Sequence, residues 1–153
     1  MKKSILIITI ILSIIIQMGC TNRDEVKLEG KADDVNLLEV SGEDKEIINR
    51  SENIADSVVE LFGIDDATAI IFNENVIIGI ILSYDQELSQ DTLDTIVNLV
   101  NKNEPSIENV YITSDAKLFK QIDNIVVEIL QGKSYDKYVP NINKIMDKVK
   151  KEK

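Results

Sequence analysis

The fold of this chain is decided by the stretch Ala67-Thr68-Ala69-Ile70-Ile71-Phe72-Asn73-Glu74-Asn75-Val76-Ile77-Ile78-Gly79-Ile80-Ile81-Leu82-Ser83. Two runs rich in isoleucine and valine, residues 67–72 and 76–83, flank the polar triplet Asn73-Glu74-Asn75. β-Branched residues favour strands, and a short polar loop between two such runs is typical of a β-hairpin. Because both runs are almost continuously apolar, we expect other elements to cover the hairpin on at least one face.

Helical spacing of apolar residues predicts one helix before the hairpin and one after it. The first spans residues 43–62, with Ser41 as its N-cap and Gly63 as its stop. The second spans residues 90–102 and follows the N-cap Ser89. The apolar positions of these two helices are Ile47, Ile54, Val58 and Leu61, and Leu93, Ile96, Val97 and Val100.

A third strand and two further helices complete the predicted domain. Residues 109–113 alternate as a strand, and Ser114 then caps a helix that ends at Gly132. Residues 133–140 are predicted as a connecting loop, and residues 141–151 as a short basic helix. The apolar positions of the two helices are Leu118, Ile122, Ile125 and Ile129, and Ile142, Ile145, Met146 and Val149.

The element order α-β-β-α-β-α-α predicts the α+β class. The helix between the second and third strands is long enough to cross over the sheet, so the third strand can pair in parallel beside the antiparallel hairpin. We therefore expect a small three-stranded mixed sheet packed against amphipathic helices in two layers, over residues 43–151.

The composition restricts the chemistry that this chain can perform. It has 153 residues with one cysteine, no histidine and no tryptophan. A lone cysteine excludes an internal disulfide. Without histidine, the usual zinc, haem and copper sites and the Ser-His and Cys-His nucleophile pairs are absent. We therefore predict no cofactor and no enzymatic activity.

Cys20 ends an N-terminal segment that has the layout of an export signal. Lys2 and Lys3 precede an apolar run over residues 4–16, and the small residue Gly19 stands directly before Cys20. This layout resembles a bacterial lipoprotein signal, in which the cysteine thiol receives a diacylglycerol, the chain is cut before it, and the new amino end is acylated with a fatty acid. We expect residues 1–19 to be the signal and Cys20 to be the lipid attachment site.

Two alternatives stay open for this segment. Residues 4–20 form a 17-residue stretch, roughly 25 Å as a helix, which is short for a hydrocarbon core of about 30 Å but makes an uncleaved anchor an alternative. Cleavage elsewhere would leave a free thiol. Residues 20–42 are predicted as the lipidated N-terminus and a flexible tether, with a short strand over residues 36–40 as the alternative.

The charge of the exported part indicates how it meets the membrane. The whole chain carries a net charge of -10, and the signal holds two lysines and no acid, so 15 basic and 27 acidic side chains remain after it. An acidic surface repels nucleic acid and anionic headgroups. We therefore predict no nucleic-acid partner, and a membrane contact that comes from acyl chains on the outer face.

Carboxylate pairs are the main candidates for a chemical site, and we interpret them as helix caps, turns and solvated faces. They are Asp33-Asp34, Glu43-Asp44 and Asp65-Asp66. A calcium site is the alternative for Asp85, Glu87 and Asp91, although the EF-hand pattern is missing. Tyr135 and Tyr138 either cover the end of the core or form a small contact patch.

Two segments resemble the YhcN/YlaJ family of sporulation lipoproteins. The strand and helix start Val110-Tyr111-Ile112-Thr113-Ser114-Asp115, followed by Leu118, Ile122 and Gln131-Gly132-Lys133, is similar to the C-terminal signature of that family. The hairpin over residues 67–83 resembles its paired apolar strands, with Asn75 and Gly79 near the turn and the middle. The resemblance covers roughly residues 45–135, and the chain lacks the long low-complexity tether of some members.

The resemblance implies a lipoprotein of endospore-forming bacteria that is linked to the spore envelope and to germination or outgrowth. The element order also resembles the BON-type modules of envelope proteins, which bind membranes or partners. We therefore expect a non-catalytic binding or structural module with an unknown spore-envelope protein as its partner. The alternative is a surface lipoprotein that binds a solute, or an enzyme that uses a metal held by carboxylates.

Overall fold

A computed structural model of the protein describes residues 42–151. Its elements, in chain order, are α1 (Gly42–Val59), β1 (Ile64–Phe72), β2 (Asn75–Leu82), α2 (Gln90–Asn103), β3 (Asn109–Thr113), α3 (Ala116–Leu130), a 3-10 helix (Tyr135–Tyr138) and α4 (Val139–Val149). This arrangement confirms the predicted α+β class and the order of helices and strands.

Several sequence predictions lie outside the described residues. These are the signal peptide over residues 1–19, lipid attachment at Cys20, the tether or short strand before Gly42, and the N-cap at Ser41. They stay predictions. The structure therefore tests only the predictions for the domain that begins at Gly42.

The three strands form one mixed sheet with β2 in its centre. β1 and β2 pair antiparallel, and β2 and β3 pair in parallel, with α2 as the crossover between them. Phe72 pairs with Asn75, so the hairpin turn is Asn73-Glu74 and is one residue shorter than expected. Asn73 has φ +54°, a left-handed conformation that asparagine tolerates better than most residues.

Helices pack on both faces of the sheet, so the domain has three layers where two were expected. Ile70 and Ile77 belong to one buried cluster, with α3, the 3-10 helix and α4. Their strand neighbours Ile71, Val76 and Ile78 belong to a second cluster, with α2 and the later part of α1. Consecutive strand residues point to opposite faces, so the continuous apolar runs of the hairpin supply two cores.

The boundaries of the first helix and first strand differ from the prediction. α1 ends at Val59, and two turns follow, closed by Leu61 N–H to Val58 O at 3.1 Å and Ile64 N–H to Leu61 O at 3.3 Å. β1 therefore begins at Ile64, three residues earlier than expected. Gly63, with φ +87°, turns the chain from the helix into the strand, a conformation that glycine adopts without steric cost.

The starts of the last two helices also differ from the prediction. The N-cap of α3 is Asp115 and not Ser114, because the Asp115 carboxylate accepts hydrogen bonds from Lys117 N–H and Leu118 N–H, each at 2.8 Å. The predicted loop over residues 133–140 contains the 3-10 helix and the start of α4. Pro140 lies in the first turn of α4, where its missing N–H costs no intrahelical hydrogen bond.

Candidate functional site

The outer edge of β1 is closed at Ile71. Ile71 donates its N–H to Ser51 Oγ at 3.0 Å, and its carbonyl oxygen accepts from the Tyr135 hydroxyl at 2.6 Å. Both outward main-chain groups of this residue are therefore bonded to side chains. An edge strand whose polar groups are bonded in this way cannot pair with another strand at that position.

The two side chains that close this edge are held by burial. Ser51 lies on α1 and is fully buried, and its hydroxyl, which accepts the bond from Ile71, donates its own proton to Ile47 O at 2.9 Å. Tyr135 is also buried, and its own N–H donates to Asp44 Oδ2 at 3.2 Å. Burial first, and then the charges of Asp44 and Asp136, raise the pKa of Tyr135, so its hydroxyl stays protonated and remains a donor.

No strand within residues 42–151 pairs with the outer edge of β3, which we call the open edge. Asn109 donates its N–H to Glu74 O at 3.2 Å, so Asn109 faces β2. Main-chain groups alternate in direction along a strand, so Tyr111 and Thr113 also face β2, whereas Val110 and Ile112 point their N–H and C=O groups outward. Within residues 42–151, no hydrogen bond reaches these four outward groups from another residue.

A groove of about 690 Å³ runs beside this open edge, between β3 and α2. Val149 of α4, which also lines it, is buried, whereas five other apolar residues are half-buried and keep part of their side chains in solvent. They are Leu88, Leu93, Val97, Val110 and Ile112. The edge therefore combines unpaired main-chain groups with an unfilled apolar strip on the same side of the sheet.

Tyr111 occupies the opposite face of the same strand. Its ring is half-buried, and Lys150 Nζ lies 4.8 Å from the ring centroid. A cation over an aromatic face is attractive, so Lys150 orients this ring beside the strand edge. The open edge thus has the apolar groove on one face and an oriented aromatic ring on the other.

This arrangement can bind an extended peptide backbone. Alternate N–H and C=O groups on a strand edge bind an added strand, and the flanking pockets select its side chains. The residues of β3, Asn-Val-Tyr-Ile-Thr, include no carboxylate and no amine. The strand edge offers hydrogen bonds and the groove offers apolar contact, beside the Asp94 carboxylate that also lines the groove.

The predicted carboxylate candidates within residues 42–151 are not brought together, and the pair Asp33-Asp34 lies outside the described residues. Asp65 accepts a hydrogen bond from Ser83 Oγ, Asp66 accepts one from Ala67 N–H, and Glu43 and Asp44 lie in the first turn of α1. The calcium alternative, Asp85, Glu87 and Asp91, consists of exposed side chains. Across residues 42–151, no group of three or more histidine, cysteine or acidic residues is placed to hold a metal ion.

The two tyrosines of the last loop cover the core. Tyr135 is 6% exposed and Tyr138 is 5% exposed, and both belong to the cluster with α3 and α4. Burial and the neighbouring Glu128 carboxylate raise the pKa of Tyr138. The contact-patch alternative for this pair is therefore wrong.

An exposed pair of aromatic residues is the feature that the sequence prediction missed. Phe62 is 93% exposed and Tyr84 is 90% exposed. They stand in neighbouring turns that are joined by the hydrogen bond from Ser83 N–H to Gly63 O at 2.9 Å. In the sequence, each of these aromatic residues stands next to a turn and belongs to no helical or strand pattern of apolar residues. This pair lies at the end of the hairpin opposite Asn73.

The comparisons with known proteins identify a family. In the part of the chain that the structure describes, no helix is both long and apolar enough to cross a membrane. No curated protein matches this chain in sequence. A family model described as "Sporulation lipoprotein YhcN/YlaJ" matches residues 22–150, which is most of the chain and all but the last residue of the domain. The chain therefore belongs to the YhcN/YlaJ family of sporulation lipoproteins.

Proposed function

We propose that this protein is a membrane-anchored, non-catalytic binding or structural module of the spore envelope, and that it acts in germination or outgrowth. The single observation that carries the proposal is the open edge of β3 beside its apolar groove. Membership in a sporulation lipoprotein family supports the location. The proposed partner is an envelope protein that presents an extended segment to this edge.

The proposed anchor is the acylated Cys20, exported to the outer face of the membrane. Twenty-one residues separate Cys20 from Gly42, where α1 begins. Fully extended, that number of residues reaches about 70 Å, so the domain can meet partners well away from the bilayer. Residues 51–101 contain ten acidic and no basic side chains, and such a surface is repelled by anionic headgroups. Attachment by acyl chains leaves the β3 edge available.

A photo-crosslinking amino acid tests the binding surface directly. We would place benzoyl-phenylalanine at Tyr111 of the full chain and irradiate intact spores. Tyr84 provides the matched control, because it is also a tyrosine and is far more exposed. We expect adducts of defined mass from residue 111 and none of comparable yield from residue 84. Equal yields at the two positions, or no adduct at residue 111, would contradict the proposed edge.

If carboxylates held a catalytic metal ion instead, a different set of substitutions would impair function. A metal site concentrates its function in one or two ligands. A tethered binding module depends instead on its anchor, which sets its local concentration. We expect Asp65→Asn, Asp85→Asn, Glu87→Gln and Asp91→Asn each to preserve the germination rate, and Cys20→Ala to impair it as much as deletion of the gene. A stable, anchored carboxylate variant that germinates like the deletion would favour the metal-dependent alternative.

A further inference from the structure

We infer that the exposed lysines of α3 and α4 rest on the anionic headgroups of the bilayer that holds Cys20, so that the anchored domain takes one orientation on the membrane. The inference rests on the anchor of the proposed function and does not depend on the β3 edge. We call these lysines the basic face. They are Lys117, Lys120, Lys144, Lys148 and Lys151.

Charge is unevenly distributed along the described chain. Residues 51–101 hold ten acidic and no basic side chains, whereas residues 117–151 hold eight lysines and four acids. α2, from the acidic part, packs on one face of the sheet, and α3 and α4 pack on the other. The excess of lysine therefore lies on the side of the sheet that α3 and α4 cover.

Helical spacing brings the lysines of the basic face to one surface. A groove of about 350 Å³ runs between α3 and α4, and no described carboxylate lines it. Its polar lining residues are Gln121, Asn124, Asn141, Lys144 and Lys148. Lys117 and Lys120 stand four positions before Gln121 and Asn124, so they lie on the same side of α3, one turn earlier. Lys151 donates its N–H to Lys148 O at 3.0 Å and extends the row on α4.

The charges of the basic face are available to a partner. All five lysines are exposed, and none forms an ion pair with another residue of the described chain. The exposed acids next to them in sequence are Asp115 and Asp147, so an excess of positive charge remains. Lysines close to an anionic bilayer are attracted to it, and the attraction falls off within a Debye length of about 8 Å. A flat anionic surface therefore suits this arrangement.

The charge of the whole domain favours a bilayer over a dissolved polyanion. Residues 42–151 carry 20 acidic and 11 basic side chains, a net charge of -9. A nucleic acid or an acidic protein that approaches from solution meets this net repulsion. A bilayer that already holds the chain meets mainly the side that is turned toward it, because salt screens charges that lie more than about 8 Å farther away.

The first described residues lie close to the basic face. Asp44, in the first turn of α1, accepts a hydrogen bond from Tyr135 N–H at 3.2 Å. Tyr135 begins the 3-10 helix that leads directly into α4, so the chain continues toward Cys20 from a point beside the start of α4. The anchor keeps headgroups at a high local concentration near this face, and a weak attraction is then enough to hold the domain.

Energy transfer from the full-length, acylated protein to vesicles tests this orientation. Cys20 is the only cysteine, and acylation blocks its thiol, so an introduced cysteine is the only site for a thiol-reactive donor dye. We would label Asn124→Cys, in the groove between α3 and α4, or Thr95→Cys, exposed on α2. The vesicles carry an acceptor dye on their headgroups and contain phosphatidylcholine alone, or with phosphatidylglycerol as about a third of the lipid.

The two labels should differ only on anionic vesicles. With phosphatidylglycerol we expect stronger transfer from residue 124 than from residue 95, and in phosphatidylcholine alone we expect equal transfer. Lys144→Gln and Lys148→Gln should each lower the ratio of docked to undocked domain about fivefold. Lys148→Arg keeps the charge and should preserve docking. Lys102→Gln, at an exposed lysine of α2, is the matched control and should also preserve it.

Several results would overturn this inference. Equal transfer from residues 124 and 95 on anionic vesicles would do so, and so would docking that survives the combined change Lys144→Gln and Lys148→Gln. Loss of docking when glycerol phosphate is added at constant ionic strength would assign the lysines to free phosphate and not to the bilayer.

The proposed function can be judged separately. Crosslinking at residue 111 does not depend on the lipid, so the β3 edge can stand when the basic face fails. Mass spectrometry that found no acyl group on Cys20 would instead remove the anchor, on which both the proposed location and this inference rest.

Discussion

The Tyr135 hydroxyl donates a 2.6 Å hydrogen bond to the carbonyl oxygen of Ile71, a residue 64 positions earlier in the chain. This contact joins the 3-10 helix to the edge of β1, next to the bond that Ser51 accepts from the same residue. The sheet therefore has one edge that is bonded to side chains at Ile71 and one edge, at Val110 and Ile112, whose outward groups meet no other described residue. We therefore propose that a partner binds at β3 and not beside Ile71.

Tyr135→Phe should destabilise the domain. The substitution leaves the buried Ile71 carbonyl without its donor, and we expect the free energy of unfolding to fall by about 1–3 kcal/mol. Urea denaturation at neutral pH, with tyrosine fluorescence or circular dichroism as the readout, measures the change. Tyr84→Phe, at a tyrosine that is 90% exposed, is the matched control and should change nothing. Equal stability of Tyr135→Phe and the wild type would show that this bond contributes nothing.

The same residue predicts a dependence of stability on alkaline pH. Burial, with the charges of Asp44 and Asp136, raises the pKa of Tyr135 above the usual value of a tyrosine, about 10. The folded state therefore holds the proton more tightly than the unfolded state, so the stabilisation is complete below about pH 10 and is lost as the pH rises further. The melting temperature of the wild type should fall more steeply above pH 10 than that of Tyr135→Phe. Parallel curves would contradict the assigned role.

Ser51→Ala should also weaken the closed edge. The Ile71 N–H loses its acceptor in a fully buried place, and we expect a loss of about 1–3 kcal/mol in the free energy of unfolding. Ser57→Ala is the matched control, because Ser57 lies on the same helix and bonds only to Asn53 O. The control should change stability by less than about 0.5 kcal/mol. If both variants unfold at the same urea concentration, the hydrogen bond to Ile71 contributes no more to stability than the bond that Ser57 makes.

Gly79→Ala tests the packing of α3 on the sheet. A Cβ at Gly79 would lie 3.0 Å from the Cα of Phe119 and 3.2 Å from Cγ2 of Thr68, so either the helix or the strand must move. We expect a destabilisation of about 1–3 kcal/mol, which is typical of an overpacked core. Gly42→Ala has no atom within 4 Å of its new Cβ and should be neutral or slightly stabilising. If Gly79→Ala melted at the wild-type temperature, α3 would have to lie farther from the sheet than the structure shows.

Ile122→Asp tests the core on the same face. Ile122 is fully buried on the core-facing side of α3, and an ionised carboxylate there lacks any compensating partner, so we expect the domain to unfold. Asn124→Asp introduces the same charge at an exposed position of the same helix and should retain the fold. Circular dichroism distinguishes the two results. A folded Ile122→Asp variant would show that the stripe of α3 does not face a core.

Local patterns in the sequence predict most of the elements. All four apolar positions expected in α3, Leu118, Ile122, Ile125 and Ile129, are buried, and β3 has the predicted bounds. Helical period and strand alternation are properties of neighbouring residues, so one sequence is enough to reveal them. The prediction that Ser114 caps α3 is wrong because Ser114 and Asp115 are both good N-cap residues, and only the geometry decides between them.

The candidate site could not be predicted in the same way. Ser51 and Tyr135 reach Ile71 from 20 and 64 positions away, and neither follows a pattern that indicates its partner. The open edge depends on which strand lies at the side of the sheet, and the five-residue alternation of β3 is the same for a central strand and for an edge strand. The apolar runs of the hairpin likewise predict burial but do not say how many helices cover each face.

Hydrogen exchange at the amides of β3 tests the central claim most directly, because that claim is that this edge is open in the free domain and paired in the membrane. The measurement compares single amides of the full-length protein in isolated spore membranes with the same protein diluted in detergent. We expect the Val110 and Ile112 amides to exchange rapidly when diluted and at least about tenfold more slowly in membranes, a change that corresponds to about 1.4 kcal/mol. Tyr111 N–H, which faces β2, should be slow in both samples. Equally rapid exchange of Val110 and Ile112 in the membrane and in dilute solution would contradict the account.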